Sequence, residues 1–214
     1  MLIAIISDIH GNLPALEKAV SICNKKFKVD KFICLGDVVG YGPWNNECVE
    51  VIKDLKNVTK ILGNHEEYFI NKNCSCKNKL TKLFFRFNIL DFKNRHEIKT
   101  YKKNFILNNI KFTHTIYKKY IYSDTKFNYS QNLVIGHSHQ QFKKLINNKF
   151  WVLNPGSLGQ NRKNINEMNF AILDSNNLKT KFVSETSDIQ KLIKEMRKKK
   201  YPKECIEYYK NKIL

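Results

Sequence analysis

Eight polar side chains of the types that hold metal ions fall at one kind of place in this sequence, directly after a short apolar run. Asp8 and His10 follow Met1 to Ile6, and Asp37 follows Phe32-Ile33-Cys34-Leu35. Asn64 and His65 follow Val58 to Leu62, His114 follows Ile110 to Phe112, and His137 and His139 follow Leu133-Val134-Ile135. Five of the six histidines belong to this set, which histidines scattered over a surface would not give. Asp8 and His10 are two residues apart, so on an extended segment both side chains point the same way and can grip one ion. Carboxylates, imidazoles and one amide oxygen, with no thiolate, suit Mn, Fe, Zn or Ni rather than Ca or a soft metal. Polar groups gathered at strand ends need partners, and a cation supplies them. The alternative is a set of histidines satisfied by ordinary core hydrogen bonds. His96 has no such neighbourhood and reads as a surface histidine.

The runs that must position these residues read as buried strands. Met1 to Ile6 is apolar throughout, without the alternation of a half-exposed strand, and the chain then breaks at Ser7-Asp8-Ile9-His10-Gly11. Asn12 and Pro14 signal a helix start, and Leu13, Leu16, Val20 and Cys23 share one face of a helix reaching about Asn24. A second helix is expected over Asn45 to Lys56. Three strand–helix units in the first sixty residues predict βαβ crossovers and a parallel sheet, whose carboxyl edge is where ligands bind. The segment of about 70–96 is the least regular, with Leu80, Leu83, Phe84, Phe87 and Leu90 at helical spacing. Strands then dominate, with hairpin turns at Asn108-Asn109, Asn147-Asn148 and Ser175-Asn176-Asn177. From Ser187 a lysine-rich helical tail runs to 214, broken at Tyr201-Pro202.

Composition narrows the partners. Lys and Arg number 38 against 19 Asp and Glu, a net charge of +19. That excess makes nucleic acid a possible partner, yet Lys and Asn are overused throughout and only Arg86, Arg95, Arg162 and Arg197 offer the guanidinium fork. The six cysteines form no CxxC pair, so reduced thiols are expected. No apolar run approaches membrane-spanning length and the opening run lacks a signal peptide's basic start, so no membrane partner and a cytoplasmic location are expected.

The order D-x-H, G-D, G-N-H-E, a single H and G-H-x-H, followed by Asn154-Pro155-Gly156-Ser157, resembles the calcineurin-like metallophosphoesterases over roughly residues 1–174. The resemblance implies an α/β fold, a four-layer α/β/β/α sandwich of two mixed sheets flanked by helices, in a single domain over 1–214. It implies a dinuclear, metal-dependent hydrolase of phosphate esters with two divalent transition-metal ions, Mn foremost, and a metal-activated hydroxide as nucleophile. Asp8, His10, Asp37 and His139 would hold one ion; Asp37, Asn64, His114 and His137 would hold the other. His65 would be the catalytic acid beside the leaving group.

Departures from the pattern narrow the substrate. The phosphoprotein phosphatases of the superfamily read G-D-x-x-D-R-G, whereas here Gly40 and Tyr41 replace the Asp of the dyad and the Arg that grips phosphate. Glu66 or Glu67 is then the candidate to orient His65, and Arg162 the candidate substrate-binding phosphate contact. Retention of His65 favours phosphodiesters, whose leaving groups need a proton. The alternatives are a phosphomonoesterase, a dinucleoside-polyphosphate hydrolase, or a catalytically silent scaffold of the same fold.

Overall fold

The fold is described from a computed structural model over residues 1–212; positions 213 and 214, the last of the expected helical tail, lie outside the described residues. Strand β1 (Leu2–Ile6) leads into helix α1 (Leu13–Ile22), whose first turn holds Pro14 and whose Asn12 side chain accepts from the Ala15 N–H at 3.2 Å. A π-type turn over Cys23–Phe27 prolongs that helix beyond the expected end. Next come β2 (Lys31–Cys34), α2 (Asn45–Asp54) and β3 (Val58–Lys60). Helix α2 stops two residues before Lys56, where Leu55 turns extended (ψ 127°).

Helix α3 (Asn64–Asn71) runs into the segment that local pattern left least regular, which holds α4 (Lys79–Asn88) and the start of α5 (Arg95–Ile98). His96 is exposed on α5. Then follow β4 (Asn104–Leu107), β5 (Ile110–Thr113), β6 (Asn132–Val134), β7 (Gln141–Ile146), β8 (Phe150–Pro155), β9 (Glu167–Asp174) and β10 (Thr180–Thr186). Helices α6 (Ile189–Lys198) and α7 (Lys203–Lys210) close the chain, separated as expected at Tyr201-Pro202.

The strands form two five-stranded mixed sheets flanked by helices, β10-β9-β1-β2-β3 and β4-β5-β6-β8-β7. Within the first, β1, β2 and β3 are parallel; β5, β6 and β8 are parallel in the second. Both faces of β1 are covered, which is why it lacks alternation. Ile3 and Ile5 pack between the sheets with Ile33, Leu35, Phe112, Val134 and Leu153. Ala4 and Ile6 face the helix side with Leu16, Ala19, Val49 and Ile52. On the second sheet, Leu133, Phe142 and Val152 pack against Ile116 and Ile121 from the irregular segment that follows β5. All six cysteines are free, and among the described residues no helix is long and apolar enough to cross a membrane.

Candidate metal centre

The residues after β1, β2 and β6 depart from extended chain at once. Asp8 and His10 have φ of 54° and 51°, Asp37 53°, His137 67° and His139 59°. Left-handed backbone at a non-glycine residue costs on the order of 1–3 kcal/mol and persists only where the surroundings over-determine it. Here neighbouring loops do so. The Asp8 N–H donates to the Gly36 carbonyl at 3.0 Å, that of His10 to Asp37 at 2.9 Å and that of Gly11 to Val38 at 2.8 Å. Asp8 and His10 therefore converge through left-handed kinks, not through the same-side geometry of an extended segment; that expectation is corrected.

Three imidazoles are fixed by backbone carbonyls. A carbonyl only accepts, so Nδ1 of His10 donates to Val39 (3.2 Å), that of His114 to Leu35 (2.8 Å) and that of His139 to Gln160 (2.6 Å). The neutral form of each ring then presents a bare Nε2 to the interior, as metal-ligating histidines do. Nε2 of His139 lies 3.2 Å from that of His10 and 3.2 Å from Asp8 Oδ1. Nε2 of His114 lies 3.3 Å from Asp37 Oδ2 and 3.2 Å from Asn64 Oδ1. One proton can bridge one such pair of acceptors. It cannot also serve Asp8 Oδ1, which is buried with no hydrogen-bond partner. Ligand-type atoms gather within 4.8 Å of one another in three sets: Asp8, His10 and His139; His10, Asp37 and His65; Asp37, His114 and His137. The donor set and the orphaned oxygen fit divalent cations.

Electrostatics follow the same division. Burial holds His10 well below the usual imidazole range, and burial likewise lowers His65 and takes His137 down to about 4. Burial also lowers His114, but the Asp37 charge and the hydrogen bond to it prevail, raising it to about 10. Asp37 itself is pushed up by burial and pulled further down by His114 and His65, ending well below the carboxylate range.

Glu66 is the part local pattern misjudged. Its Oε2 accepts from the N–H groups of Asp37 (2.7 Å) and Gly63 (2.8 Å), and its Oε1 from Val38 (2.7 Å) and Val39 (3.1 Å). The carboxylate clamps the Asp37 loop to the start of α3 and does not orient His65. Glu67 is exposed. His65 is instead placed by its N–H, which donates to Asp37 Oδ1 at 2.8 Å, and by the rings of His10 (4.7 Å), Tyr41 (5.2 Å) and Tyr68 (5.5 Å). Gly40 has φ +146°, and a Cβ there would lie 2.7 Å from His10 Nδ1 and 2.8 Å from His65 Nδ1. An aspartate at this position has no room.

Arg162 is exposed and lines, with His139, Ser138 and Gln140, a cleft of about 390 Å³ that reaches the constellation at His139. A second cleft, about 490 Å³, runs along Asn64, Tyr68, His114, Tyr120 and His137. Tyr120 stacks on His137 at 4.1 Å, and Tyr208 of α7 stacks on Tyr41 at 6.1 Å. Neither tyrosine belongs to a motif, and nothing in their local sequence marks them.

A doubly layered α/β fold with a carboxylate–imidazole cluster at its strand ends is the architecture of a metal-dependent phosphoesterase. Residues 1–178 match the family model of the calcineurin-like phosphoesterase superfamily domain, and the chain belongs to that family. It is 34% identical to an uncharacterized protein of Methanocaldococcus jannaschii, over 94% of this chain and 94% of that protein. Its fold is similar to that of a metallophosphoesterase from Sphaerobacter thermophilus, with a TM-score of 0.77 and 22% identity over 100% of this chain and 99% of that one. A hypothetical protein from Pyrococcus horikoshii is similar in fold too, with a TM-score of 0.82 and 20% identity over 97% of each chain.

Proposed function

We propose that this chain is a phosphodiesterase working with two divalent ions, Mn foremost among Mn, Fe, Zn and Ni. The observation that carries the reading is the facing pair of Nε2 atoms on His10 and His139, 3.2 Å apart beside the unpartnered Asp8 Oδ1. Asp8, His10, Asp37 and His139 hold one ion in this reading; Asp37, Asn64, His114 and His137 hold the other. Held there, cations would supply Lewis acidity to the phosphoryl oxygens and would activate a water. The chain's own groups do the remaining work. Arg162 offers a phosphate contact. Burial keeps His65 below its usual pKa, and an anionic ester alongside raises it again, so the ring becomes a proton donor once substrate is bound.

The preference for a diester is supported by the two clefts. A diester carries two substituents on phosphorus, and two separate clefts reach the cluster, one at His139 and one along Asn64, His114 and His137. The test is metal analysis of purified protein together with turnover of bis- and mono-p-nitrophenyl phosphate in added Mn. The reading expects two ions per chain and faster release from the diester. Protein that stays empty in transition metals, or turns over neither ester, overturns it. His65→Ala should keep its metal and lose about 10²–10⁴ in kcat; loss of metal in that variant would make His65 a ligand instead.

A further inference from the structure

We infer that the segment between β5 and β6 is a stacking platform for nucleobases, so that the diester cleaved here is a link in a single-stranded nucleic acid. The inference rests on the phosphodiesterase reading and names its substrate class.

Three rings stand in series, beginning at the cluster. Tyr120 stacks on His137 with ring centres 4.1 Å apart and 13° between their planes. Tyr122 lies next to Tyr120 at 6.3 Å, again at 13°. Tyr120 lines the larger cleft and Tyr122 the smaller, so this stacked pair borders both. Tyr117 lines the larger cleft as well. Tyr117, Tyr120 and Tyr122 are 66%, 51% and 42% exposed, and among the described residues they are three of the seven exposed large hydrophobic side chains.

Packing does not account for these rings. Ile116 and Ile121 are buried and fasten the segment to the second sheet, a task that needs none of the three tyrosines. Tyr117 and Lys118 have φ of 55° and 52°, in a turn closed by the Lys119 N–H donating to the Ile116 carbonyl at 3.1 Å. Asn and Gly suit such a left-handed turn, whereas a tyrosine followed by a lysine is strained there. Strain and exposure retained beside a set of metal-type side chains point to a ligand. The chemistry of the lining says which. Tyrosine faces accept flat rings, and stacking tolerates any base. Lys103 and Lys118 line the larger cleft and Arg162 and Lys163 the smaller, against one glutamate in each. A strand that carries a base and a phosphate at every step matches rings set among cations, and the net charge of +19 draws it in.

The test is fluorescence anisotropy on the protein as purified, at one fixed salt concentration. It compares oligothymidylate with an abasic oligomer of the same length and charge, and oligouridylate with its abasic ribose counterpart. In at least one series wild type should bind the base-bearing oligomer about tenfold or more tighter than the abasic one. Tyr120→Ala and Tyr122→Ala should each cut that preference severalfold and leave the abasic affinity unchanged, while Tyr120→Phe and Tyr122→Phe should retain it. Tyr117→Asn should weaken the preference yet raise the melting temperature, since asparagine suits the left-handed turn. Equal affinity for base-bearing and abasic oligomers in both series, or binding of none, overturns the platform and leaves the tyrosines to a different partner. Mn-dependent turnover of bis-p-nitrophenyl phosphate separates the two readings. Turnover without a base preference removes the platform alone; a base preference without turnover removes the phosphodiesterase reading alone.

Discussion

At the floor of the site, backbone carbonyls hold three histidine rings and four backbone amides hold Glu66. At the rim, Tyr120 and Tyr208 are held by ring stacking, and Lys212 by its hydrogen bond to the Tyr208 hydroxyl. The floor is buried and its loops are hydrogen-bonded to one another; Tyr120 at the rim is 51% exposed. A group that must meet a cation within tenths of an ångström is built from backbone. One that selects among substrates can be built from side chains that adjust. Changes in the floor should thus cost fold and chemistry together, and changes in the rim should cost substrate preference alone.

The largest expected effect is at Asp37, which belongs to two of the three ligand sets. Asp37→Ala should lower Mn-dependent turnover at least about a thousandfold and reduce bound metal by elemental analysis. Full metal content with retained turnover would remove the floor's distinction. Glu66→Gln comes next. Its amide NH₂ must face two backbone N–H donors, which should cost about 2–4 kcal/mol in a denaturant titration and reduce metal content as well. A stability change under about 0.5 kcal/mol, the level of an ordinary surface substitution, would show that the clamp is dispensable. Gly40→Ala should destabilise by about 1–3 kcal/mol through its φ of +146° and push into His10 and His65. Turnover should fall more than metal content, since His65 is displaced with it. The smallest effect is at the rim: Tyr120→Ala should keep its metal and its melting temperature while kcat/KM on a diester drops about tenfold. A loss of metal in that variant would move Tyr120 from rim to floor.

Much of this was legible because it depends on short spacings. An unbroken apolar run at Met1 to Ile6 meant a strand covered on both faces, and Asn108-Asn109 meant a hairpin, since both signals lie within a few residues. The metal-type residues were legible for the same reason: each is tied to the end of its own strand. Helix α3 was not, because it begins inside the Asn64-His65-Glu66 motif with no separate start signal. Glu66 was misread as an aid to His65, although its partners lie up to 29 residues away across the sheet. The pairing of Tyr41 with Tyr208 joins residues at opposite ends of the chain and has no local period.

From sequence alone came the kinds of atoms gathered at the strand ends, their order, and the family they resemble. Periodicity and residue chemistry determine these one segment at a time. Which way each Nε2 points, the kinked backbone that brings Asp8 to His139, and the tail that meets Tyr41 were decided only by the packed molecule. Hydrogen bonds and ring contacts between distant segments exist only once the two sheets and the tail are in place.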